Sequence, residues 1–202
     1  DFSRYVLNSA FVSVTSTALA VWLSSMMAYA FARFDFPGKE WFFRALLLGL
    51  MIPSMMLIIP QFVLTKQLHL IDNLWALVLF YVSGNLALNT FLLRSFFEGI
   101  PRELDEAMEV DGANVWTRYW RLAMPLARPA LATTVIFTFL ATWDEFAWAL
   151  TVISTETKRT LPIAIQLFHG QNSTQWGLVF AASLIAILPV IVVYLIFQRH
   201  FV

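Results

Sequence analysis

The chain alternates between long apolar runs and short charged intervals. Five of the runs hold about 20 residues or more, enough for a helix to cross a hydrocarbon core of about 30 Å. We interpret them as transmembrane helices at residues 5–32, 41–64, 75–97, 130–153 and 176–197. Trp41, Trp75 and Trp176 stand at the starts of three runs, where an amphipathic ring prefers the interface with water. The pattern predicts an all-α, polytopic transmembrane helical bundle.

The composition is typical of integral membrane proteins. Hydrophobic residues make up 59% of the 202 residues and charged residues 13%, with a mean hydropathy of +0.71. We expect one membrane domain over residues 1–202 and no separate soluble domain. The absence of cysteine excludes disulfides and thiolate metal sites. Because the chain begins at Asp1 without an initiator methionine, we interpret it as a fragment that begins inside a loop.

Lysine and arginine are distributed unequally between the two sides of the predicted bundle. Nine lie in residues 33–44, in residues 94–128 and at the C-terminus. The opposite side has four, at Arg4, Lys66, Lys158 and Arg159. The positive-inside rule places the richer side in the cytoplasm. This predicts an N-terminus outside, a C-terminus inside and a cytoplasmic interval at residues 101–129.

The second predicted span contains two prolines, Pro53 and Pro60. Each removes a backbone donor and disfavours a straight helix, so we expect a kinked or partly unwound segment. Irregular backbone in a membrane must face protein or a water-filled cavity. The segment is either a bent packing helix or part of a translocation path. Pro189 makes a similar but weaker case in the last span.

Polar residues interrupt the third and fourth spans. Asn85 and Asn89 share one helix face, which fits hydrogen bonds between helices better than a polar wall for a solute. Asp144 and Glu145 lie in a helix predicted to be continuous, although an intramembrane carboxylate costs about 2.5 to 3.5 kcal/mol. They either lock helices together or contact a solute. Counted from the span ends, Asp144 and Asn85 reach a similar depth.

The interval between the third and fourth spans predicts two short helices, the first with Pro101 at its first position. Leu104, Ala107 and Met108 form an apolar stripe on this helix, which Gly112 ends. Asn114 is a plausible cap for the second helix, which Pro125 closes. An outer interval between residues 154 and 175 is apolar but too short to span. It either dips into the bundle or docks a partner.

Motifs for catalysis are absent from the sequence. It contains no phosphate-binding G-x-x-x-x-G-K-[ST] loop, no G-x-S-x-G and no H-E-x-x-H. His69, His169 and His200 are isolated, so we predict no metal site. A multispan protein with polar groups at mid-membrane and no catalytic set is most simply a transport pathway. Its energy then comes from an ion gradient or from another subunit.

The loop at residues 101–125 carries a spaced motif that decides between these sources. Glu106-Ala107-Met108 is followed after three residues by Gly112, after nine more by Leu122, and after one more by Met124 and Pro125. This resembles the EAA loop of permease subunits in binding-protein-dependent ATP-binding-cassette importers, the MetI-like type. This chain has Met108 where the family has alanine, Leu122 where it has isoleucine and Met124 where it has leucine. All three replacements are apolar. Asp111 before Gly112 also matches the usual setting.

The resemblance extends over nearly the whole chain. Residues 8–40, the WDEF stretch at 143–146, residues 160–168 and residues 176–202 look like the maltose-permease branch, which imports sugars. That branch normally has six spans and a short C-terminal tail. The chain lacks a counterpart of the first span and of the tail, so five spans are seen where six are expected. The resemblance implies import of a sugar, with amino acids, peptides or phosphate as alternative solutes.

The resemblance also implies partners and residue roles. The coupling loop is expected to sit in a cleft of a cytoplasmic ATP-binding subunit dimer, with Glu106 as its charged contact, Gly112 at a sharp turn, and Leu104, Ala107 and Met108 as docking face. ATP and magnesium are expected in that ATPase, and no cofactor in this chain. The other expected partners are a second, different permease chain, an extracytoplasmic solute-binding protein and the lipid bilayer, with no nucleic acid. The location is a bacterial or archaeal plasma membrane. An ion-coupled transporter and a scaffold without transport activity remain rival classes.

Overall fold

The described part of the chain, residues 2–168 and 174–198 of a computed structural model, is built from helices. This confirms the predicted all-α class. Predictions for His169, Arg199 and His200 fall outside the described residues. The α-helices are α1 Phe2–Arg33, α2 Lys39–Leu48, α3 Ile58–Gln67, α4 Leu74–Glu98, α5 Arg102–Val110, α6 Val115–Arg118, α7 Met124–Leu126, α8 Arg128–Trp143, α9 Ala147–Val152, α10 Leu161–Gln166 and α11 Trp176–Phe197.

Three of these helices, α1, α4 and α11, are long and apolar enough to cross a membrane unbroken within the described residues. Of the other two predicted spans, the second corresponds to a bent pair of helices and the fourth to α8 followed by α9. Lys39–Met51 and Ser54–Gln67 meet at 94°, with Pro53 at the break between two 3-10 turns. This confirms the predicted kink. Pro60 lies in the first turn of α3, where the helix needs no N–H donor. Helix α11 continues through Pro189.

The fourth predicted span is not one continuous helix, and that prediction is wrong. Helix α8 ends at Trp143, residues 144–146 form a break, and α9 begins at Ala147. The sequence has no proline here. The break is instead stabilised by Glu145, whose carboxylate accepts hydrogen bonds from the backbone N–H groups of Trp148 at 2.8 Å and Ala149 at 3.1 Å. A side chain that caps a new helix start compensates for the interrupted ladder.

The centre of the bundle is the pairing of α1 with α4, and α8 lies against both. Small residues face the contact: Ser16, Ala20, Ser24 and Ala28 of α1 are completely buried. Small side chains let helix backbones approach closely in membranes. By contrast, α11 is peripheral and buries only Val179 and Ala182. Its apolar surface suits contact with lipid or with another chain.

The end of the bundle at which α1 begins also holds the apolar interval after α9. Ser9 accepts a 2.8 Å hydrogen bond from the backbone N–H of Leu161, and Asn8 donates to the carbonyl groups of Thr157 and Arg159 at 2.9 Å. Leu161 is buried in the start of α10, which packs against α1 and α11. As far as Phe168, this interval is therefore packed into the bundle rather than projecting from it.

Candidate coupling loop and membrane cavity

The first helix of the coupling loop, α5, presents a polar face and an apolar face. The helix begins at Arg102, one residue later than predicted, so Pro101 is its N-cap. Glu103 and Asp105 lie in the first turn, where negative charge interacts favourably with the helix dipole. Leu104 is 43% exposed and Ala107 is also exposed. Part of the predicted stripe therefore faces outward and is free to meet another protein.

Gly112 ends α5 in the manner predicted. Its φ is +83°, and the N–H groups of Gly112 and Ala113 donate to the carbonyl groups of Glu109 and Met108, both at 2.9 Å. This pattern is a Schellman motif, which needs a left-handed residue after the helix. A Cβ atom at Gly112 has open space around it. The glycine is thus required by its backbone angle and not by crowding.

Two ion pairs hold the polar face of α5, one to the transmembrane helix α1 and one to α6 of the same loop. Asp105 Oδ2 lies 2.9 Å from Arg33 Nε at the end of α1, and Glu109 Oε2 lies 2.5 Å from Arg118 Nη1 on α6. Tyr29 also donates to Asp105 at 3.4 Å. Sequence reasoning missed Asp105, the one buried residue of α5. The available signal was its i,i+4 spacing from Glu109, which puts both carboxylates on one face.

The second part of the loop is one bent helical segment. Asn114 caps it as predicted, accepting a 2.8 Å hydrogen bond from the Thr117 N–H. After α6 the chain makes a π-helical turn at Tyr119–Ala123 and continues as α7. The prediction that Pro125 closes this helix is wrong. Pro125 lies in the first turn of α7, where a missing donor is tolerated, and the bend comes at Ala127.

Tyr119 fixes this segment to the transmembrane helices. Its side chain is 2% exposed, its hydroxyl lies 2.7 Å from Ser25 Oγ, and its ring meets that of Tyr29 edge-on at 5.3 Å. Phe97 of α4 packs on the other side of Tyr29 at 5.8 Å. The coupling loop is thus joined to α1 and α4 by aromatic packing as well as by charge.

The remaining predicted coupling residues lie on or near the free surface. Glu106 borders a cavity of about 340 Å³ beside Arg33, Asp105 and Arg118. Asp111 and Pro125 are exposed, and Met108 and Leu122 are half-buried. Glu106 makes no ion pair within the part of the chain that the structure describes. Its carboxylate is therefore available to a cationic group outside this chain.

A second cavity, of about 250 Å³, lies where both broken spans come together. Ser54 and Gln61 contribute to it from the second span, Asn85 from α4, and Thr142 and Glu145 from the fourth span. Asn85 and Glu145 thus line one cavity. The polar atoms of these side chains provide hydrogen-bond donors and acceptors inside an otherwise apolar bundle.

Glu145 is the most constrained polar group of this cavity. Besides capping α9, its carboxylate accepts a short hydrogen bond from the hydroxyl of Tyr81 on α4. Sequence reasoning did not single out Tyr81. Its position four residues before Asn85 on one helix face is the signal that could have found it. The Tyr81 to Glu145 contact joins α4 to the break in the fourth span.

Asn89 and Asp144 lie elsewhere. Asn89 is 1% exposed and donates to Thr138 Oγ1 of α8 at 2.8 Å, which is a hydrogen bond between packed helices. Asp144 borders a different cavity, of about 260 Å³, together with Trp143 and Gln166. Among the described residues, no group of three or more His, Asp or Glu side chains is placed to hold a metal ion.

The geometry therefore defines a multispan membrane protein with a polar cavity between two interrupted spans and a surface loop that exposes both apolar and acidic side chains. A family model described as the inner membrane component of binding-protein-dependent transport systems matches residues 20–202. The chain belongs to this family. It is the membrane-spanning permease subunit of an ATP-driven importer, and ATP hydrolysis belongs to a separate subunit.

Several proteins are similar to the chain over almost its whole length. The trehalose transport system permease protein SugB of Mycobacterium tuberculosis is 36% identical, covering 100% of this chain and 74% of that protein. The arabinooligosaccharides permease protein AraQ of Bacillus subtilis is 31% identical, covering 100% and 71%. A chain in the crystal structure of a bacterial ABC transporter involved in alginate import superposes with a TM-score of 0.85 at 26% identity, covering 100% and 75%.

Proposed function

We propose that this chain is a permease subunit of a carbohydrate importer. Its coupling loop transmits ATP-driven movement to a solute path between the broken spans. The single observation that carries the proposal is the setting of α5. Its Asp105 is ion-paired to Arg33 of α1 and its Glu109 to Arg118 of α6, while Leu104 and Ala107 on another face are exposed. A helix fixed on one side and open on the other is suited to pass a movement inward.

The carbohydrate assignment has two supports. Relatives over nearly the full chain are named as transporters of trehalose, arabinooligosaccharides and, in Streptomyces coelicolor, diacetylchitobiose. The cavity beside Asn85, Gln61 and Glu145 offers amide and carboxylate groups, which hydrogen-bond hydroxyl groups well. We assign Asn85 and Glu145 to the solute path and Asn89 to helix packing.

The assembly that we propose has four kinds of component. Glu106 pairs with a basic group of the ATPase, Ala107 and Leu104 pack in the ATPase cleft, and an ATPase dimer binds two permease chains of different sequence. A solute-binding protein delivers the sugar from outside. In this arrangement the coupling loop is cytoplasmic, the N-terminus of the chain is outside and the C-terminus is inside.

The test is a reconstituted complex of the permease chains, the ATPase and the binding protein. A panel of mono- and oligosaccharides, with amino acids, peptides and phosphate as comparison solutes, is screened for stimulation of ATP hydrolysis. We expect a carbohydrate to raise turnover and to accumulate in proteoliposomes that hold ATP. Stimulation by a comparison solute alone contradicts the sugar assignment. Uptake abolished by collapse of an ion gradient at constant ATP contradicts ATP coupling.

A further inference from the structure

The segment from α6 to α7 lies close to the plane of the membrane. Val115–Leu126 runs at 77° to Arg128–Trp143, the membrane-crossing helix that follows it. Transmembrane helices tilt by about 20° on average from the membrane normal, so a segment nearly perpendicular to one lies along the surface. Tyr119 and Ala123 bury one side of it in the bundle. Its other sides face lipid headgroups or the cytoplasm.

The exposed side of this segment is aromatic and cationic. Trp116 is 58% exposed and Trp120 is 50% exposed. Residues 115–128 contain three arginines and no carboxylate. Of the three, Arg118 is paired with Glu109, and the described ion pairs do not involve exposed Arg121 or Arg128. Tryptophan together with unpaired arginine is the composition of helices that lie in an anionic membrane interface.

An apolar cavity of about 200 Å³ lies between this segment and α1. Its walls include Met26, Tyr29, Ala30, Phe34, Trp116 and Tyr119. The hydroxyls of both tyrosines are engaged elsewhere, with Asp105 and Ser25, so the cavity offers hydrocarbon and ring surfaces. Because Trp116 both lines the cavity and is largely exposed, the cavity is reached from the surface. A hydrocarbon chain fits this lining and a hydrophilic solute does not.

We propose that this cavity and segment form a binding site for an anionic phospholipid of the inner leaflet. One acyl chain enters the cavity beside Ala30 and Trp116, and the phosphate group lies on Arg121 and Arg128. A cationic surface near the membrane attracts anionic headgroups, while the cavity supplies the apolar part of the affinity. The lipid therefore packs against Tyr29 and Tyr119, the two rings that join the coupling loop to α1.

The experiment measures lipid retention by the purified full complex. Complexes are reconstituted in nanodiscs of phosphatidylcholine and phosphatidylglycerol in equal amounts, released into detergent, and analysed by native mass spectrometry. We expect retained phosphatidylglycerol to exceed phosphatidylcholine in the parent. Arg121→Gln combined with Arg128→Gln is expected to lower this preference on the order of fivefold for each arginine removed. Arg44→Gln is the control, because Arg44 is also exposed on the side assigned to the cytoplasm but lies on α2.

A second variant tests the acyl-chain cavity. Ala30→Leu places a larger side chain in the cavity and is expected to reduce retention of both lipids, whereas Ala18→Leu, on an exposed position of the same helix, is expected to retain them. Equal retention of the two lipids by the parent overturns the proposal, as does parental retention by Ala30→Leu. Loss of the ATPase subunit from the arginine variant, with lipid preference unchanged, assigns the surface to a protein partner instead. These readouts require no transport, so they are independent of the sugar assignment.

Discussion

The Nε atom of Arg33 lies 2.9 Å from Oδ2 of Asp105, and the two side chains are only 7% and 13% exposed. This contact ties the last residue of α1 to the one buried residue of α5. Arg33 also donates to the backbone carbonyl of Ile100 at 2.9 Å. The contact therefore links α5 directly to the longest transmembrane helix of the described chain.

We predict that Asp105→Asn uncouples ATP hydrolysis from solute uptake. Removing one partner of a buried ion pair costs about 3 to 5 kcal/mol, since the other charge is left buried and unpaired. The matched variant is Glu109→Gln, which removes the charge that pairs with Arg118; in this pair the glutamate side chain is 66% exposed and the arginine side chain 14% exposed. Because one partner of this pair reaches water, its loss is expected to cost less than the loss of the buried Asp105 charge. The measurement is the number of ATP molecules hydrolysed for each solute transported in proteoliposomes.

The reversed pair, Arg33→Asp with Asp105→Arg, provides the decisive control. Each single reversal is expected to abolish coupled uptake, and the double reversal is expected to regain part of it because the attraction is restored. If both single reversals transport as the parent does, the contact does not transmit the movement.

The coupling motif yields a second prediction, for Glu106 and Gly112. Glu106→Ala is expected to abolish uptake while the chain still inserts in the membrane, because the carboxylate makes no ion pair within the described residues and its loss leaves the fold intact. Gly112→Val is expected to lose uptake because a β-branched residue at a φ of +83° is strained. Insertion and assembly are followed by membrane fractionation and co-purification of the ATPase.

Gly177→Val is the matched control for Gly112. Both glycines have open space where the Cβ atom of a larger residue would lie, but the φ of Gly177 is not positive. The two variants add the same side chain and differ in backbone strain. Equal uptake by Gly112→Val and Gly177→Val contradicts the requirement for a left-handed turn in the coupling loop.

The sequence was sufficient for the large features. Apolar runs indicated the membrane class, Pro53 indicated the break in the second span, and the Glu106 to Pro125 spacing indicated the permease family. These features depend on local chemistry, such as a missing donor or a required turn. The ion pair of Arg33 with Asp105 joins residues 72 positions apart, and nothing local distinguishes Asp105 from its acidic neighbours.

The break in the fourth span shows why the rest was not predictable. A carboxylate in an apolar run indicates a special site, but it does not reveal whether the helix continues. Here Glu145 caps a new helix and also meets Tyr81 of α4. That partner becomes visible only once α4 and α8 are packed together. Asn89 illustrates the opposite case, where the more ordinary expectation of a hydrogen bond between helices agrees with the structure.

Neighbouring Asp144 and Glu145 face different cavities, so one replacement separates their roles. Glu145→Gln keeps the shape but removes the charge that accepts from two backbone N–H groups and Tyr81, interactions worth about 1.5 to 3 kcal/mol each for a charged group. We predict a large fall in uptake with insertion unchanged. Asp144→Asn is expected to have a smaller effect, because Asp144 is exposed beside the other cavity. The measurement is the uptake rate at saturating sugar for the parent, Glu145→Gln and Asp144→Asn. Equal rates for both variants and the parent assign Glu145 to packing.

The last prediction concerns Asp72, which lies between α3 and α4 and binds the segment that follows α9. Its carboxylate accepts from the N–H groups of Ser154 and Thr155 at 3.0 and 2.9 Å, and from Lys158 Nζ at 3.0 Å. Burial alone raises the pKa of Asp72, but these bonds outweigh it and hold the pKa well below its ordinary value. The stabilisation is therefore complete above the pKa of the unfolded chain, about 3.9, and is lost as the pH falls toward the lower pKa of the folded state.

We expect Asp72→Asn to lower the free energy of unfolding by about 1 to 2 kcal/mol near neutral pH, because Lys158 is 45% exposed and its attraction is screened by water. Asparagine accepts the left-handed φ of +58° at this position as readily as aspartate, so the change removes charge without straining the turn. The thermal midpoint of the detergent-solubilised complex is measured for parent and variant from neutral pH down to about pH 3. The difference should be constant near neutrality and narrow below about pH 4. Asp35→Asn is the control: the Asp35 side chain is 82% exposed in its ion pair with Lys39, so this change is expected to leave the midpoint unchanged. Equal thermal midpoints of the parent and Asp72→Asn at neutral pH would contradict the role of Asp72 in joining the two spans.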